Sequence, residues 1–200
     1  MMANVGLLLS GAVLFLNSLM LREKAEARSV AIFNFFVGIL QIIIPLYLII
    51  VSDQNHWTIY NHTATFLFGL TFLYVSFTFY KGMDGSGLGW FCAWGSMVGL
   101  FYAFVSAFHF HDYVLTLTWL MWAFLWYLFY VLNIPKKPVA DYVGKVALIQ
   151  SFVTLTFPAL LSLIGIWEEA MIQRIWFVVL SVSILYFVKT GLEVRSKNQD

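Results

Sequence analysis

Charge is scarce in this chain: Asp, Glu, Lys and Arg make up 10% of its 200 residues, and none of the ten acidic residues falls inside an apolar run. Pumps, proton-coupled carriers and ion channels keep ionisable groups at depth, where an ion or proton in transit needs a partner. Without them the chain suits a neutral solute. The lone cysteine, Cys92, lies within an apolar run and can close no intrachain disulfide. No linker is long enough to separate domains, and a net charge of +1 offers nucleic acid no electrostatic attraction. Gly-x-Ser-x-Gly, a phosphate-binding loop, His-Glu-x-x-His and a carboxylate pair at depth are all missing from the sequence, so it does not read as an enzyme. A retinal protein would need a lysine at mid-depth, and Lys189 sits at the end of the last run.

The residues that are present describe an integral membrane protein: 62% are hydrophobic and 19% aromatic, with a mean hydropathy of +0.85. A helix needs about 20 apolar residues to cross roughly 30 Å of hydrocarbon. Seven runs serve: 3–21, 30–51, 64–80, 90–108, 114–132, 142–166 and a shorter 175–188. The expected fold is an all-α polytopic bundle of seven transmembrane helices in a single domain over 1–200. Pro135 and Pro138 stop the fifth run, and Pro45 and Pro158 should kink the second and sixth. No basic residue precedes the first run and no small-residue cleavage pattern follows it, so it reads as retained and not as a cleaved signal.

Ten of the eleven basic residues gather on one surface: Arg22, Lys24, Arg28, Lys81, Lys136, Lys137, Lys145, Lys189, Arg195 and Lys197. Arg174 alone marks the other. The positive-inside bias then puts the N-terminus outside and the C-terminus in the cytoplasm.

Trp119, Trp122 and Trp126 share one stripe of the fifth run, with the last two near mid-span, although membrane tryptophans usually collect at the interfaces. Such a stripe either fills helix–helix space or lines a slot in which the indole N–H meets a polar solute; spacing leaves both open. Phe68 and Phe72 on the third run, and Leu7, Ser10, Leu14 and Asn17 on the first, are likewise one-sided. The other mid-run polar residues, Asn34, Gln41, Thr71, Ser76, Ser96, Gln150, Ser151 and Thr154, are all neutral. Groups of this kind ordinarily bond a neighbouring helix. Gln150 and Thr154, one turn apart, could also replace the hydration of a urea or amide molecule. Gly95 and Gly99 have the small-xxx-small spacing of close helix packing.

His56, His62, His109 and His111 fall in or beside the two external connections, and Asp53, Asp112, Glu168 and Glu169 lie on the same side. Histidine titrates near neutrality, so these groups could sense external acid, or could sit there only because loops are polar. His109-Phe110-His111 lacks further ligands at metal-binding spacing, so neither metal nor cofactor is expected.

Asn34-Phe35-Phe36-Val37-Gly38, Leu67-Phe68-Gly69-Leu70-Thr71-Phe72-Leu73-Tyr74, and Trp119-x-x-Trp122-x-x-x-Trp126 followed by Asn133-Ile134-Pro135 resemble the bacterial urea/amide channel family, AmiS/UreI. The resemblance covers about the first six spans. It implies a six-helix channel core over 1–166, with 167–200 as an added span and tail. It further implies a homohexamer in a bacterial cell membrane, with one pore per protomer passing urea or short aliphatic amides. By residue-wise likeness Trp122, Leu125 and Trp126 belong to the narrow path, Phe68 and Phe72 to the facing wall, and Leu7, Ser10, Leu14 and Asn17 to the first-helix lining. Gln150 stands where the family has a buried glutamate. Phe72 replaces a tyrosine of the acid-gated members, whose external loops are longer and richer in histidine.

The sequence therefore reads as a passive urea channel with Leu7, Ser10, Leu14, Asn17, Phe68, Phe72, Trp119, Trp122, Leu125, Trp126, Gln150 and Thr154 along the path. His56, His62, His109, His111, Glu168 and Glu169 are candidates for external pH sensing. Short amides are the alternative substrate. A non-transporting sensor or assembly protein is the alternative of another class.

Overall fold

The computed structural model describes residues 1–197, and every regular element among them is helical. Seven helices are long and apolar enough to cross a membrane: Met2–Leu21, Ala27–Ile50, His56–Lys81, Ser86–Phe108, Tyr113–Asn133, Ala140–Leu163 and Ala170–Lys197. The Lys197 side chain and residues 198–200 lie outside the described residues.

Helix ends differ from the hydropathy limits where polar residues carry a cap. The third helix begins eight residues before its apolar run, because the Asn55 side chain accepts the Trp57 N–H at 2.9 Å and starts the helix in a polar segment. His56 and His62 are therefore helical residues and not loop residues. Glu26 caps the second helix by accepting from the N–H groups of Arg28 and Ser29. The seventh helix is much longer than 175–188 and takes in Arg174 and Glu193, as the sixth takes in Asp141 and Lys145. These charges lie toward helix ends, so mid-depth remains free of them.

Close backbone approach holds the bundle together. A Cβ on Gly38 would meet Leu73 at 2.9 Å, and one on Gly69 would meet the Gln41 carbonyl at 3.0 Å, so these glycines seat the second and third helices against each other. Gly99 does the same for the fourth and fifth helices against Ala123, and Gly95 packs on the Trp126 ring. On the basic surface, Asp141 joins Arg22 at 3.2 Å and Lys145 at 2.7 Å, tying the first connection to the sixth helix.

The sixth helix changes form before Pro158. Proline has no N–H to offer the preceding turn, and residues Ser151–Thr156 widen into a π-helical turn between Ala140–Gln150 and Phe157–Leu163. The Thr156 hydroxyl donates to the Ser151 carbonyl at 2.7 Å, and the Trp176 indole on the seventh helix donates to the Val153 carbonyl at 2.8 Å. The first helix crosses this turn at Gly11, where a Cβ would lie 3.1 Å from the Ser151 carbonyl oxygen. By contrast, the second helix runs unbroken through Pro45.

Candidate functional site

Two open cavities lead inward from the surface that carries the N-terminus. One, of about 430 Å³, is bounded by Leu7, Ser10, Gln41, Tyr60, Trp119 and Trp122, among others. The other, of about 380 Å³, lies between the first, fifth and sixth helices, where Asn4, Asp112, Thr154, Pro158 and Glu168 form part of its wall. Both end on Trp122. Beyond it lies a void of only about 40 Å³, enclosed by Leu14, Phe68, Phe72, Leu125 and Trp126, with Asn17, Val75 and Phe129 toward the basic surface. A cavity needs about 10–15 Å³ of such space to hold one water, so this void is the narrowest part of the path.

The aromatic rings of this constriction brace one another. Phe68 meets Trp122 edge-on at 4.7 Å and lies 5.1 Å from Trp126, and Trp119 meets Trp122 edge-on at 4.9 Å. Outward, Trp119 stacks on Tyr102 at 4.5 Å and Tyr102 on Tyr60 at 4.3 Å. This ladder ends near the surface, where Trp57 stacks on His109 at 4.1 Å.

Both inner indole N–H groups are taken by threonine. Trp122 donates to the Thr154 hydroxyl at 3.0 Å and Trp126 to the Thr71 hydroxyl at 3.1 Å. Each threonine in turn donates to a carbonyl one turn back, Thr154 to Gln150 and Thr71 to Leu67. The slot therefore presents indole faces, and the N–H groups of Trp122 and Trp126 are committed to threonine. A polar group remains at Asn17. It exchanges amide hydrogen bonds with Asn34, donating at 3.1 Å and accepting at 2.7 Å, which leaves one Asn17 N–H uncommitted.

Gln150 lies elsewhere. It is fully buried, donates to the Met121 carbonyl at 2.9 Å and lines neither the two cavities nor the void, while its Oε1 has no partner among the described residues. Leu7, Ser10, Leu14, Asn17, Phe68, Phe72, Trp119, Trp122, Leu125, Trp126 and Thr154 all lie on the cavities or the void. Glu168 borders one cavity. His56 and His109 flank the Trp57 ring. Among the described residues no three metal-ligating side chains come together.

The AmiS/UreI transporter family matches residues 2–166. This chain belongs to that family. AmiS2 of Rhodococcus erythropolis, named as a transporter, is 38% identical over 82% of this chain and 80% of its own length. A Mycolicibacterium smegmatis protein named as a transporter of amidate substrates is 36% identical over 84% of this chain and 79% of its own. The acid-activated urea channel of Helicobacter pylori strain J99 is 29% identical over 83% and 100%. The crystal structure of the H. pylori urea channel aligns with a TM-score of 0.74 at 28% identity, covering 84% of this chain and 99% of the channel. The family is one of transporters and channels and not of enzymes.

Within this AmiS/UreI member, sequence reasoning did not single out Asn34 or Thr71 as parts of the site, and it missed Tyr60, Tyr102, Val75, Phe129 and Leu155. Thr71 carried a usable signal: it stands one residue before Phe72 and three after Phe68, so it faces the same groove. Leu155 carried none, because it reaches the void from the π-helical turn.

Proposed function

We propose that the protein conducts small, planar, neutral amide-type solutes passively through each protomer, with urea and short aliphatic amides as the substrate class. The observation that carries this reading is the uncharged aromatic constriction with its two indole N–H groups already bonded to threonine. A hydrated ion entering it would lose its water without compensation, whereas a flat amide can slide between ring faces and offer its carbonyl oxygen to Asn17.

Urea is the leading solute, favoured by the alignment with urea channels over nearly their whole length. Acetamide and formamide form the second reading, favoured by the higher identity to a protein named for amidate substrates. Competition between urea and acetamide for flux into proteoliposomes separates the two: the preferred solute inhibits the other at the lower concentration.

The same reading places the N-terminus outside, the basic surface in the cytoplasm, and the protein in a bacterial cell membrane. It treats 1–166 as the channel core and 167–200 as an addition. A homo-oligomer, hexameric by family likeness, accommodates the exposed stripe of Trp90, Trp94, Met97, Phe101, Phe104 and Phe108 on the fourth helix, which otherwise faces lipid. Mass measurement of the detergent-extracted protein tests the assembly.

A further inference from the structure

The seventh helix creates a groove that the conduction path does not use. Residues covering 84% of this chain account for 99% of the solved urea channel, and the family match stops at residue 166, ahead of the seventh helix. This helix packs on the fifth and sixth, and the Tyr142 hydroxyl fastens it by donating to the Phe187 carbonyl at 2.7 Å. Between them, on the basic surface, opens a groove of about 860 Å³.

Its walls are apolar and its mouth is cationic. Phe124, Tyr127 and Val131 of the fifth helix face Val194 of the seventh, while Lys137 and Arg195 stand at the surface end. Both basic side chains are exposed, and neither forms an ion pair among the described residues, whereas neighbouring Lys136 lies 4.0 Å from Asp84. Phe124 lies nine residues before the end of its helix at Asn133. At about 1.5 Å per residue the groove therefore runs roughly 13 Å inward, close to half of a hydrocarbon core about 30 Å thick. A cavity with cations at headgroup level and apolar walls one leaflet deep has the form of a single phospholipid.

We propose that this groove binds an anionic phospholipid of the leaflet on the basic side, its phosphate between Lys137 and Arg195 and an acyl chain along Phe124, Tyr127 and Val131. Basic pockets between transmembrane helices recognise anionic headgroups in this manner. A zwitterionic lipid fits the same walls but brings a cation of its own to the mouth. Charge at the mouth thus sets the lipid preference.

The test is native mass spectrometry of the full chain, equilibrated with equal amounts of phosphatidylglycerol and phosphatidylcholine carrying the same acyl chains. Two cations near the headgroups should favour phosphatidylglycerol roughly ten- to thirtyfold. Lys137→Ala with Arg195→Ala should bring retention of the two lipids near parity without lowering retention of phosphatidylcholine. If the double variant fails to fold, Lys137→Gln and Arg195→Gln singly should each reduce the preference about fivefold. Equal retention by the unaltered protein, or an undiminished preference in the variants, overturns the proposal. So does efficient disulfide cross-linking of a Val194→Cys variant to a second copy, which would make the groove a protein interface. None of these residues lines the conduction path, so each result stands apart from the transport reading.

Discussion

The Trp122 indole N–H donates to the Thr154 hydroxyl 3.0 Å away, and that hydroxyl in turn donates to the Gln150 carbonyl at 2.7 Å. The relay fixes the ring in which both cavities end and removes a donor from the constriction. Thr154→Val keeps the side-chain shape but strands the buried N–H, at a cost of about 1–3 kcal/mol in stability. We expect urea flux to fall because solute now lingers on the freed donor, whereas Thr154→Ser retains both stability and flux. Stopped-flow flux alongside thermal unfolding checks both outcomes.

Asn34 acts through Asn17. Asn34→Ala removes both reciprocal amide bonds and frees the Asn17 side chain to turn. Stability should drop by about 1–3 kcal/mol, and the concentration for half-maximal flux should rise even though Asn34 does not line the void. Concentration-dependent flux from this variant and from Asn17→Ala should show the same change.

Gly11 marks the contact between the first helix and the π-helical turn. Gly11→Ala places a methyl against the Thr156 hydroxyl, which can rotate, and 3.1 Å from the Ser151 carbonyl, which cannot. Overpacking of this kind costs about 1–3 kcal/mol. Denaturation of the purified variant should show a loss within that range.

A pH response should come from the histidines near the surface that carries the N-terminus. Replacing His56, His62, His109 and His111 should flatten any dependence of flux on mildly acidic pH. Asp84, on the basic surface, should contribute nothing in that interval. The Ser86 hydroxyl and then its backbone N–H hold the Asp84 carboxyl below the usual carboxylate range. Its folded-state affinity for protons is thus lowered, so its contribution is present above the ordinary carboxylate pKa and is lost only as pH falls further, through the folded value. NMR titration of Asp84 would read this directly.

The seven spans were legible because runs of apolar residues of membrane length leave little choice of fold, and the Trp119, Trp122 and Trp126 stripe was legible because helical periodicity is regular. The start of the third helix was not, since His56–Thr63 is polar and falls outside the apolar run, and the helix begins at the Asn55 cap. Nor could the sequence say where the indole N–H groups go: Trp126 finds Thr71, 55 residues away, across a helix interface that no local pattern encodes. Gln150 shows the limit of residue-wise likeness. Its position was found, but its direction, away from the void and onto the Met121 carbonyl, depends on how the fifth and sixth helices pack.

The most direct measurement is urea and acetamide uptake into proteoliposomes, with internal pH recorded at the same time. The account predicts saturable uptake of at least one solute well above protein-free vesicles, strongly reduced in Trp122→Ala, with proton conductance at background. Uptake no faster than in empty vesicles, or uptake that follows an imposed proton gradient at constant solute gradient, would contradict it.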